Sequence, residues 1–223
     1  KPLWNSDHSV TGYVWTIRDV TQQRLAESMR EKFLSAATHE FRTPLANIRA
    51  YAESLDMGHD IDAEARKHFY NVIQSESLRL SQLVDDLLDI SRMQAGALSL
   101  DCSEIDLGRL VEEASSKVQG QMKDKNLQYR CEFPPKFPKF SADKNKLSAA
   151  LVNLLGNAAK YTEAGGKVTF RLDVNARNVQ FSVTDSGIGI APEELSKVFD
   201  RFFRSADDRV RDTTGSGLGL ALV

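Results

Sequence analysis

Two long helical runs joined by a short polar segment constrain the fold of this chain more than any other feature. Apolar residues recur in steps of four and three over residues 34–55 and again over residues 69–90. One polar residue interrupts each run, Thr38 in the first and Glu76 in the second. This spacing predicts two amphipathic helices of about 30 residues, each close to a heptad pattern. Because the segment 56–62 between them is so short, the helices are expected to fold back as an antiparallel hairpin.

The apolar residues of the two runs exceed what a single hairpin can bury. Val72, Val84 and Leu88 lie outside the heptad positions of the second run. Dimerisation into a four-helix bundle would cover both heptad faces and these additional residues. The alternative is an intramolecular pair of helices that packs against the next domain. The sequence favours the homodimer.

The hairpin is followed by a mixed helix and strand pattern. Asp62 suits the N-cap of the second helix, and Gly96 suits the left-handed position after its end. Alternation and turn residues then predict strands at 97–102, 127–133, 167–174 and 179–185, with helices that start after Asp106 and Asp143 and extend to about Met122 and to Tyr161. The last two strands are separated by a short turn and are expected to pair antiparallel. The fold class is therefore α+β, with a dimerising helical hairpin followed by an α/β sandwich that has helices on one face.

The charge balance argues against one large class of function. The chain has 29 Lys and Arg residues against 31 Asp and Glu residues, a net charge of -2, whereas a general nucleic-acid binder usually has a basic excess. No apolar run reaches the length of about 18 residues that a membrane span needs. Cys102 and Cys131 lack metal-ligand spacing and are expected to be reduced thiols. With no signal peptide, the sequence predicts a cytoplasmic location for this stretch and leaves the anchoring of its parent protein open.

A polar stripe distinguishes the predicted helix 143–161. Asn153, Asn157 and Lys160 fall within about 60° of each other on a helical wheel, opposite an apolar face. Such a stripe is often a solvated helix surface. Asparagine is a mediocre helix former, however, so two asparagines beside a lysine favour a functional surface. Amide oxygens suit Mg²⁺, and a lysine supplies charge for a phosphate.

Two glycine-rich segments follow this helix. Residues 185–189, DSGIG, place an aspartate at a strand end, where its carboxylate is able to accept from the exocyclic amine of a base. Residues 215–220, GSGLGL, offer bare N–H groups that suit phosphates. For each segment alone, the alternative is an ordinary turn.

The order of these segments resembles the nucleotide-binding boxes of the histidine kinase catalytic domain, within the wider family of gyrase and Hsp90-type ATPases. NLLGNAAKYT at 153–162 resembles the N box and DSGIG the first Gly box. FDRFFR at 199–204 resembles the F box, and GSGLGL the second Gly box.

A segment of the first helical run also resembles these kinases. HEFRTPL, residues 39–45, is similar almost letter for letter to the phosphoacceptor box of these kinases. Glu40 is able to accept from Nδ1–H of His39, which leaves Nε2 as the nucleophile. Thr43 shares the helix face of His39, and Pro44 is expected to bend the helix there. The other histidines, His8, His59 and His68, are interpreted as surface residues.

The resemblance implies ATP and Mg²⁺ as ligands. It places the adenine amine on Asp185, with the adenine ring against Gly187 and Gly189. It places Mg²⁺ on Asn157, and the phosphates and ribose near Asn153, Lys160 and Tyr161. The phosphates would also bind the amides of Gly215, Gly217, Leu218, Gly219 and Leu220, with the γ-phosphate within reach of Arg204. Residues 205–214 would form a lid. His39 would attack the γ-phosphate and pass the phosphoryl group to an aspartate of a response regulator. Because Thr43 matches a threonine of the family's phosphoacceptor box, the resemblance also implies a phosphatase activity toward that regulator.

The resemblance also implies a domain order. Residues 1–20 resemble the end of a PAS-like sensor domain, 21–96 the signalling helix and phosphoacceptor hairpin, and 97–223 an ATP-binding domain that the family continues further. The sequence is therefore expected to be a fragment of a longer protein.

Two alternatives remain. A plain ATPase or a serine kinase of the same superfamily carries a glutamate four residues before the Mg²⁺-binding asparagine, as general base. Here that position is Asn153, which favours transfer to a built-in histidine. The other alternative is a dimeric scaffold without activity, although every expected box residue is present.

Overall fold

The computed structural model describes residues 2–4, 7, 9–13, 15, 18–56, 61–175, 178–211, 213 and 215–223. The chain forms two compact units, residues 1–39 and 40–223. The first unit contains an antiparallel pair of short strands, β1 (Pro2–Trp4) and β2 (Val10–Tyr13), and the first part of helix α1 (Thr21–Asp56). The β-branched and aromatic residues of 12–19 predict a strand there. The observed strand, β2, begins earlier, at Val10, and ends at Tyr13, and residues 14, 16 and 17 lie outside the described residues.

The two predicted long helices are present. Helix α2 spans Ala63–Gln94, and the carboxylate of Asp62 caps it by accepting from the Ala65 N–H at 2.7 Å. Gly96 follows its end with φ +62°, as predicted. Helix α1 continues through the buried Pro44, whose missing N–H deprives the Glu40 carbonyl of its helical donor.

Contacts within residues 40–223 confirm the antiparallel hairpin. The ring centroids of Tyr51 and Phe69 lie 5.2 Å apart, near the end of α1 and the start of α2. Further along, Asn47 Nδ2 donates to Glu76 at 2.9 Å. Later residues of α2 thus contact earlier residues of α1, as in an antiparallel pair.

The remaining elements build a mixed sheet covered by helices. They are strands β3 (Ser103–Ile105), β4 (Gln128–Glu132), β5 (Phe140–Ala142), β6 (Lys167–Val174) and β7 (Val179–Asp185), and helices α3 (Leu107–Asp124), α4 (Lys144–Tyr161) and α5 (Asp208–Arg211). Strands β4 and β6 pair parallel, β6 and β7 antiparallel, and β3 pairs antiparallel with β5 in a separate small sheet. Both predicted N-caps are confirmed, because Asp106 and Asp143 accept from N–H groups of the first turns of α3 and α4.

One core joins the two helices to the sheet. Leu110 and Val111 of α3, Leu155 of α4, and Val168 and Phe170 of β6 are fully buried in the same cluster. The predicted sandwich with an antiparallel β6–β7 pair is therefore confirmed.

The strand predicted at 97–102 is wrong. The strand in this region is β3, which begins at the residue after the end of the predicted strand. It pairs with β5, a strand that follows a proline-rich segment and that the sequence pattern missed. Before β3, the Asp101 N–H donates to the carboxylate of Asp143 at 3.1 Å instead of to a neighbouring strand.

Within the described ranges, every helix is too short or too polar to cross a membrane. Cys102 and Cys131 are both free thiols and exposed.

Candidate functional site

Helix α4 holds the predicted polar stripe in a half-buried position. Its opposite face is anchored in the core by Leu151 and Leu155. Asn153, Asn157 and Lys160 are therefore held on a fixed helix face, neither fully solvated nor sealed in the core.

The polar face of α4 meets the glycine-rich segment 215–220, defined here as the second Gly loop. Asn153 Nδ2 donates to the Gly219 carbonyl at 3.2 Å. The Lys160 ammonium occupies the space that a Cβ at position 215 would take. Lys160 Nζ also lies 4.6 Å from the centroid of the Tyr161 ring. A lysine, an asparagine and the loop backbone thus converge on one surface.

The DSGIG segment, defined here as the first Gly loop, is joined to the end of the same helix. Asp185 is exposed at the end of β7, and its carboxylate accepts from the Gly187 N–H at 2.8 Å. A Cβ on Gly187 would lie 2.5 Å from the Tyr161 carbonyl oxygen, so the backbones approach too closely for a larger residue. The same carbonyl accepts from the Ile188 N–H at 3.2 Å.

The phenylalanine-rich segment supports the second Gly loop. The Phe202 N–H donates to the Gly217 carbonyl at 2.9 Å. Gly217 has φ +69°, and a Cβ there would lie 2.8 Å from the carbonyl carbon of Phe202. Phe202 itself has a positive φ, an uncommon conformation for a bulky residue. Leu218 is fully buried, and its N–H faces Ser216 Oγ at 3.3 Å, so this leucine anchors the loop.

Arg204 has a local partner that the sequence did not indicate. Its Nη2 donates to the carbonyls of Val210, at 2.6 Å, and of Thr213. Its Nε is buried without a hydrogen-bond partner. The arginine that was expected to reach a γ-phosphate is therefore bound to the predicted lid, of which residues 212 and 214 lie outside the described part. In the same segment, hydrogen bonds from Arg209 lower the pKa of the Asp207 carboxyl to about 2.

Sequence reasoning missed Lys125, which lies just after α3. Its Nζ donates to the carbonyls of Ala159, Lys160 and Thr162, at 3.0, 2.6 and 3.1 Å. All three carbonyls belong to the end of α4. No local pattern identifies such a residue, because its partners are more than thirty positions away in the sequence.

The predicted phosphoacceptor segment lies in the middle of α1. His39, the last residue of the first unit, and Thr43, in the second, are both exposed. The carboxylate of Glu40 lies 3.6 Å from the Arg79 guanidinium of α2. His68 is exposed as expected and stacks edge-on against Tyr51, whereas His8 and His59 lie outside the described residues.

Helix α2 also contacts helix α4 of the second unit. Lys146 Nζ lies 2.6 Å from both carboxylate oxygens of Asp89. Glu40, Asp86 and Ser216 of the second Gly loop are among the residues that line a small cavity. Burial raises the pKa of Asp86, with repulsion from Asp89 and Asp85 adding to the effect.

Two family models match the chain. Residues 29–96 match the His Kinase A (phospho-acceptor) domain, and residues 142–223 match the histidine kinase-, DNA gyrase B- and HSP90-like ATPase. The two matches contain the phosphoacceptor segment and the converging loops, respectively.

Two similar curated proteins are named as sensory or sensor proteins. The chain is 35% identical to Drug sensory protein A of Synechocystis over 96% of its own length and 34% of that protein. It is 33% identical to Sensor protein SrrB of Staphylococcus aureus over 94% of its own length and 36% of that protein. The chain thus spans about a third of the length of these curated relatives.

Three solved structures of similar fold have names that mention a histidine kinase or a bound molecule. AdeS of Acinetobacter baumannii has a TM-score of 0.60 at 25% identity, over 82% of this chain and 83% of that one. Full-length ShkA in complex with AMPPNP has a TM-score of 0.60 at 29% identity, over 86% and 39%. ThkA in complex with the response regulator TrrA has a TM-score of 0.59 at 25% identity, over 91% and 62%.

Proposed function

The chain belongs to the sensor histidine kinases of two-component systems, and from this membership we propose that it transfers the γ-phosphoryl group of ATP to His39 and then to an aspartate of a response regulator. The observation that carries the proposal is the meeting of α4 with the second Gly loop, through Asn153 and Lys160. Phosphoryl transfer depends mainly on positioning and on neutralising phosphate charge, and this surface offers both.

ATP is the proposed nucleotide, and the loops divide the recognition of its parts. Asp185 accepts from the adenine amine, and the glycines Gly187 and Gly189 let the backbone approach the flat base. Lys160 supplies positive charge to the phosphates, and Tyr161 lies beside it near the ribose. The amides of the second Gly loop, from Gly215 to Leu220, bind phosphate oxygens. The complex of ShkA with AMPPNP, an ATP analogue, supports this choice.

Asn157 is the proposed protein ligand of Mg²⁺. Its side-chain amide fits the ion chemically, because Mg²⁺ prefers oxygen ligands and keeps several from substrate phosphates and water. Across the described residues, no group of three or more His, Cys, Asp and Glu side chains forms an alternative metal cluster. When bound, the ion neutralises phosphate oxygens.

His39 and Glu40 supply the acceptor chemistry. The lone pair of His39 Nε2 forms a bond to the γ-phosphorus, the bond to the bridging oxygen breaks, and ADP leaves. Glu40 accepts from Nδ1–H and balances the positive charge that develops on the ring. One Glu40 oxygen lies 3.6 Å from the Arg79 guanidinium, and a carboxylate has a second oxygen to accept from His39.

The proposed partners are a second copy of the chain and the receiver domain of a response regulator. A surface in α2 supports dimerisation: Val84 and Leu88, one turn apart, expose 42% and 50% of their area. The phosphoacceptor model that matches residues 29–96 supports it further. The complex of ThkA with TrrA supports the regulator as partner.

The main alternative, a plain ATPase or serine kinase of the same superfamily, lacks its base in this chain. The residue four positions before Asn157 is Asn153, whose amide donates to the Gly219 carbonyl. An asparagine cannot take a proton from water or from a serine hydroxyl as a glutamate does. Transfer to a histidine does not need this base.

Autophosphorylation is tested with the variant His39→Gln. We expect γ-labelled ATP to label the wild-type chain and leave the variant unlabelled, and the label to be acid-labile and stable in alkali. His68→Gln is the matched control, an exposed histidine of the same hairpin, and should be labelled as strongly as wild type. Acid-labile labelling that persists in His39→Gln would refute the assignment.

A phosphatase activity toward the regulator is a second proposal, supported by Thr43, an exposed residue of α1 one helical turn after His39. Thr43→Ala should keep autophosphorylation and slow the loss of phosphate from a receiver domain at least about tenfold, because a positioned water is lost. Thr43→Ser should restore the rate. Equal half-lives of the phosphorylated receiver with wild type and Thr43→Ala would contradict this role.

A further inference from the structure

We propose that Lys125 is a positioning residue of the nucleotide site, which sets the place of Lys160 and Tyr161 by holding the end of α4. The inference rests on the proposed ATP-binding function and extends it to a residue outside the nucleotide-binding boxes. Lys125 itself is assigned no contact with the nucleotide.

The contact is a match between one ammonium group and one helix end. An ammonium has three N–H donors, and Lys125 Nζ has three carbonyl acceptors within 3.1 Å, on Ala159, Lys160 and Thr162. The last carbonyls of a helix have no partner within the helix. A flat guanidinium has its donors in one plane and fits this arrangement less well.

The electrostatics of the helix end point the same way. The C-terminal end of a helix carries a partial negative charge, which a nearby cation stabilises. This end of α4 bears the residues proposed to face the phosphates, Lys160 and Tyr161. Lys125 therefore offsets negative potential at the end of the site where an anionic ligand is expected.

Further hydrogen bonds connect this contact to both sides of the site. The Lys125 carbonyl accepts from the Gly165 N–H at 3.0 Å, which ties the turn after α4 to the end of α3. Between the carbonyls that bind Lys125, the Tyr161 carbonyl accepts from Ile188 of the first Gly loop. On the side-chain side, Lys160 reaches the second Gly loop at Gly215. A displacement of the helix end would move these connections together.

Removal of the ammonium should therefore weaken nucleotide binding more than it slows the chemical step. The carbonyls of residues 159–162 would turn toward water, and Lys160 and Tyr161 would lose their fixed positions. His39 and Glu40 lie on α1 and are unaffected by the substitution. The expected signature is a raised KM for ATP with kcat close to wild type.

The test compares Lys125→Met with wild type, as the 223-residue chain, using ADP as the calorimetric probe. Lys125→Met should bind ADP roughly tenfold more weakly, because binding must then fix the position of the α4 end, and should keep kcat for His39 phosphorylation within about twofold. The amide resonances of Gly165 and Ile188 should shift in the variant without nucleotide. Lys125→Arg should recover part of the affinity. Lys139→Met is the matched control, since Lys139 pairs with Glu104 on the surface.

The outcomes separate this inference from the proposed function. A wild-type chain that binds no ADP would overturn the proposed function. If the wild-type chain binds ADP, three results for Lys125→Met would overturn the inference alone. They are an unchanged ADP affinity, a loss in kcat alone, and weaker binding with unshifted Gly165 and Ile188 resonances. If Lys125→Met does not fold, Lys125→Gln, which keeps two donors without the charge, takes its place with the same expected results and the same contradictory ones.

Discussion

At the scale of single residues, the candidate site is built from backbone proximity as much as from side chains. Gly187 lies against the Tyr161 carbonyl and Gly217 against Phe202, so two loops reach positions that a Cβ would block. The polar side chains then fill defined places on these backbones, as Asn153 does at Gly219. A substitution in the site is therefore expected to act either on a loop position or on a ligand atom.

The prediction for Asn157 concerns a ligand atom. Asn157→Ala should lose most of the gain in nucleotide affinity that Mg²⁺ provides, roughly tenfold, because the amide oxygen is removed. Calorimetry with ADP, with Mg²⁺ and with EDTA, measures this gain. Asn145→Ala, at an exposed position of α4, is the control and should keep the full gain. A full Mg²⁺ effect in Asn157→Ala would assign the ion to other ligands.

At the scale of elements, the hairpin contains polar groups where its heptad pattern is interrupted. Glu76, which breaks the apolar run of α2, accepts from Asn47 of α1 and lies 3.7 Å from the Arg79 guanidinium. One of its carboxylate oxygens is buried without a hydrogen bond. A half-buried polar pair of this kind is best satisfied at one register of the two helices, so we expect it to fix their alignment.

A second polar group of α2, Asp86, gives the hairpin a pH dependence. Burial raises its pKa, so this carboxyl holds its proton to a higher pH in the folded chain than in the unfolded chain. The cost of the buried charge is present above the raised pKa and disappears as the pH falls below the ordinary value near 3.8. Asp86→Asn should therefore raise the free energy of unfolding at pH 7 by about 0.5 kcal/mol, a small value because the site is partly solvated.

Urea unfolding at several pH values measures this effect. The difference between Asp86→Asn and wild type should shrink toward zero near pH 3, where the wild-type carboxyl is also neutral. Asp85→Asn, at the exposed neighbouring position, is the control and should change stability less. A destabilised Asp86→Asn at pH 7 would mean that the charge is used by a partner.

Local chemistry determined which elements the sequence was able to predict. The caps Asp62, Asp106 and Asp143 act on N–H groups two or three residues away, so their short-range pattern was sufficient. Strand β3 was misplaced because its position depends on β5, and no residue near it identifies that partner. Lys125 was missed for the same reason. The lid contacts of Arg204 likewise depend on a loop conformation that no periodic pattern encodes.

At the scale of the whole molecule, the exposed apolar residues of α2 agree with the predicted homodimer. Val84 and Leu88 remain accessible although Leu83 and Ile90 of the same helix are buried. One helix thus has an internal face and a second apolar face. The described chain leaves this second face open, which a four-helix bundle would cover.

The dimer prediction is tested with the double variant Val84→Asp and Leu88→Asp. Facing carboxylates would repel one another across the dimer interface, and the dimer dissociation constant should rise at least about 100-fold. Analytical ultracentrifugation measures it. Leu100→Asp, an exposed leucine outside the hairpin, should leave the dimer unchanged. A double variant as dimeric as wild type would show that this face is not the interface.

The strand order of the sheet affects the order in which the parts of a newly made chain fold. Strand β6 meets β7 across a short turn, but its parallel partner β4 is separated from it by β5 and α4. Non-local pairings of this kind form slowly, whereas two helices joined by a short connection associate quickly. On the ribosome, α1 and α2 are complete before β4 has been synthesised. We therefore expect the helical hairpin to form before the sheet that supports the proposed nucleotide-binding surface.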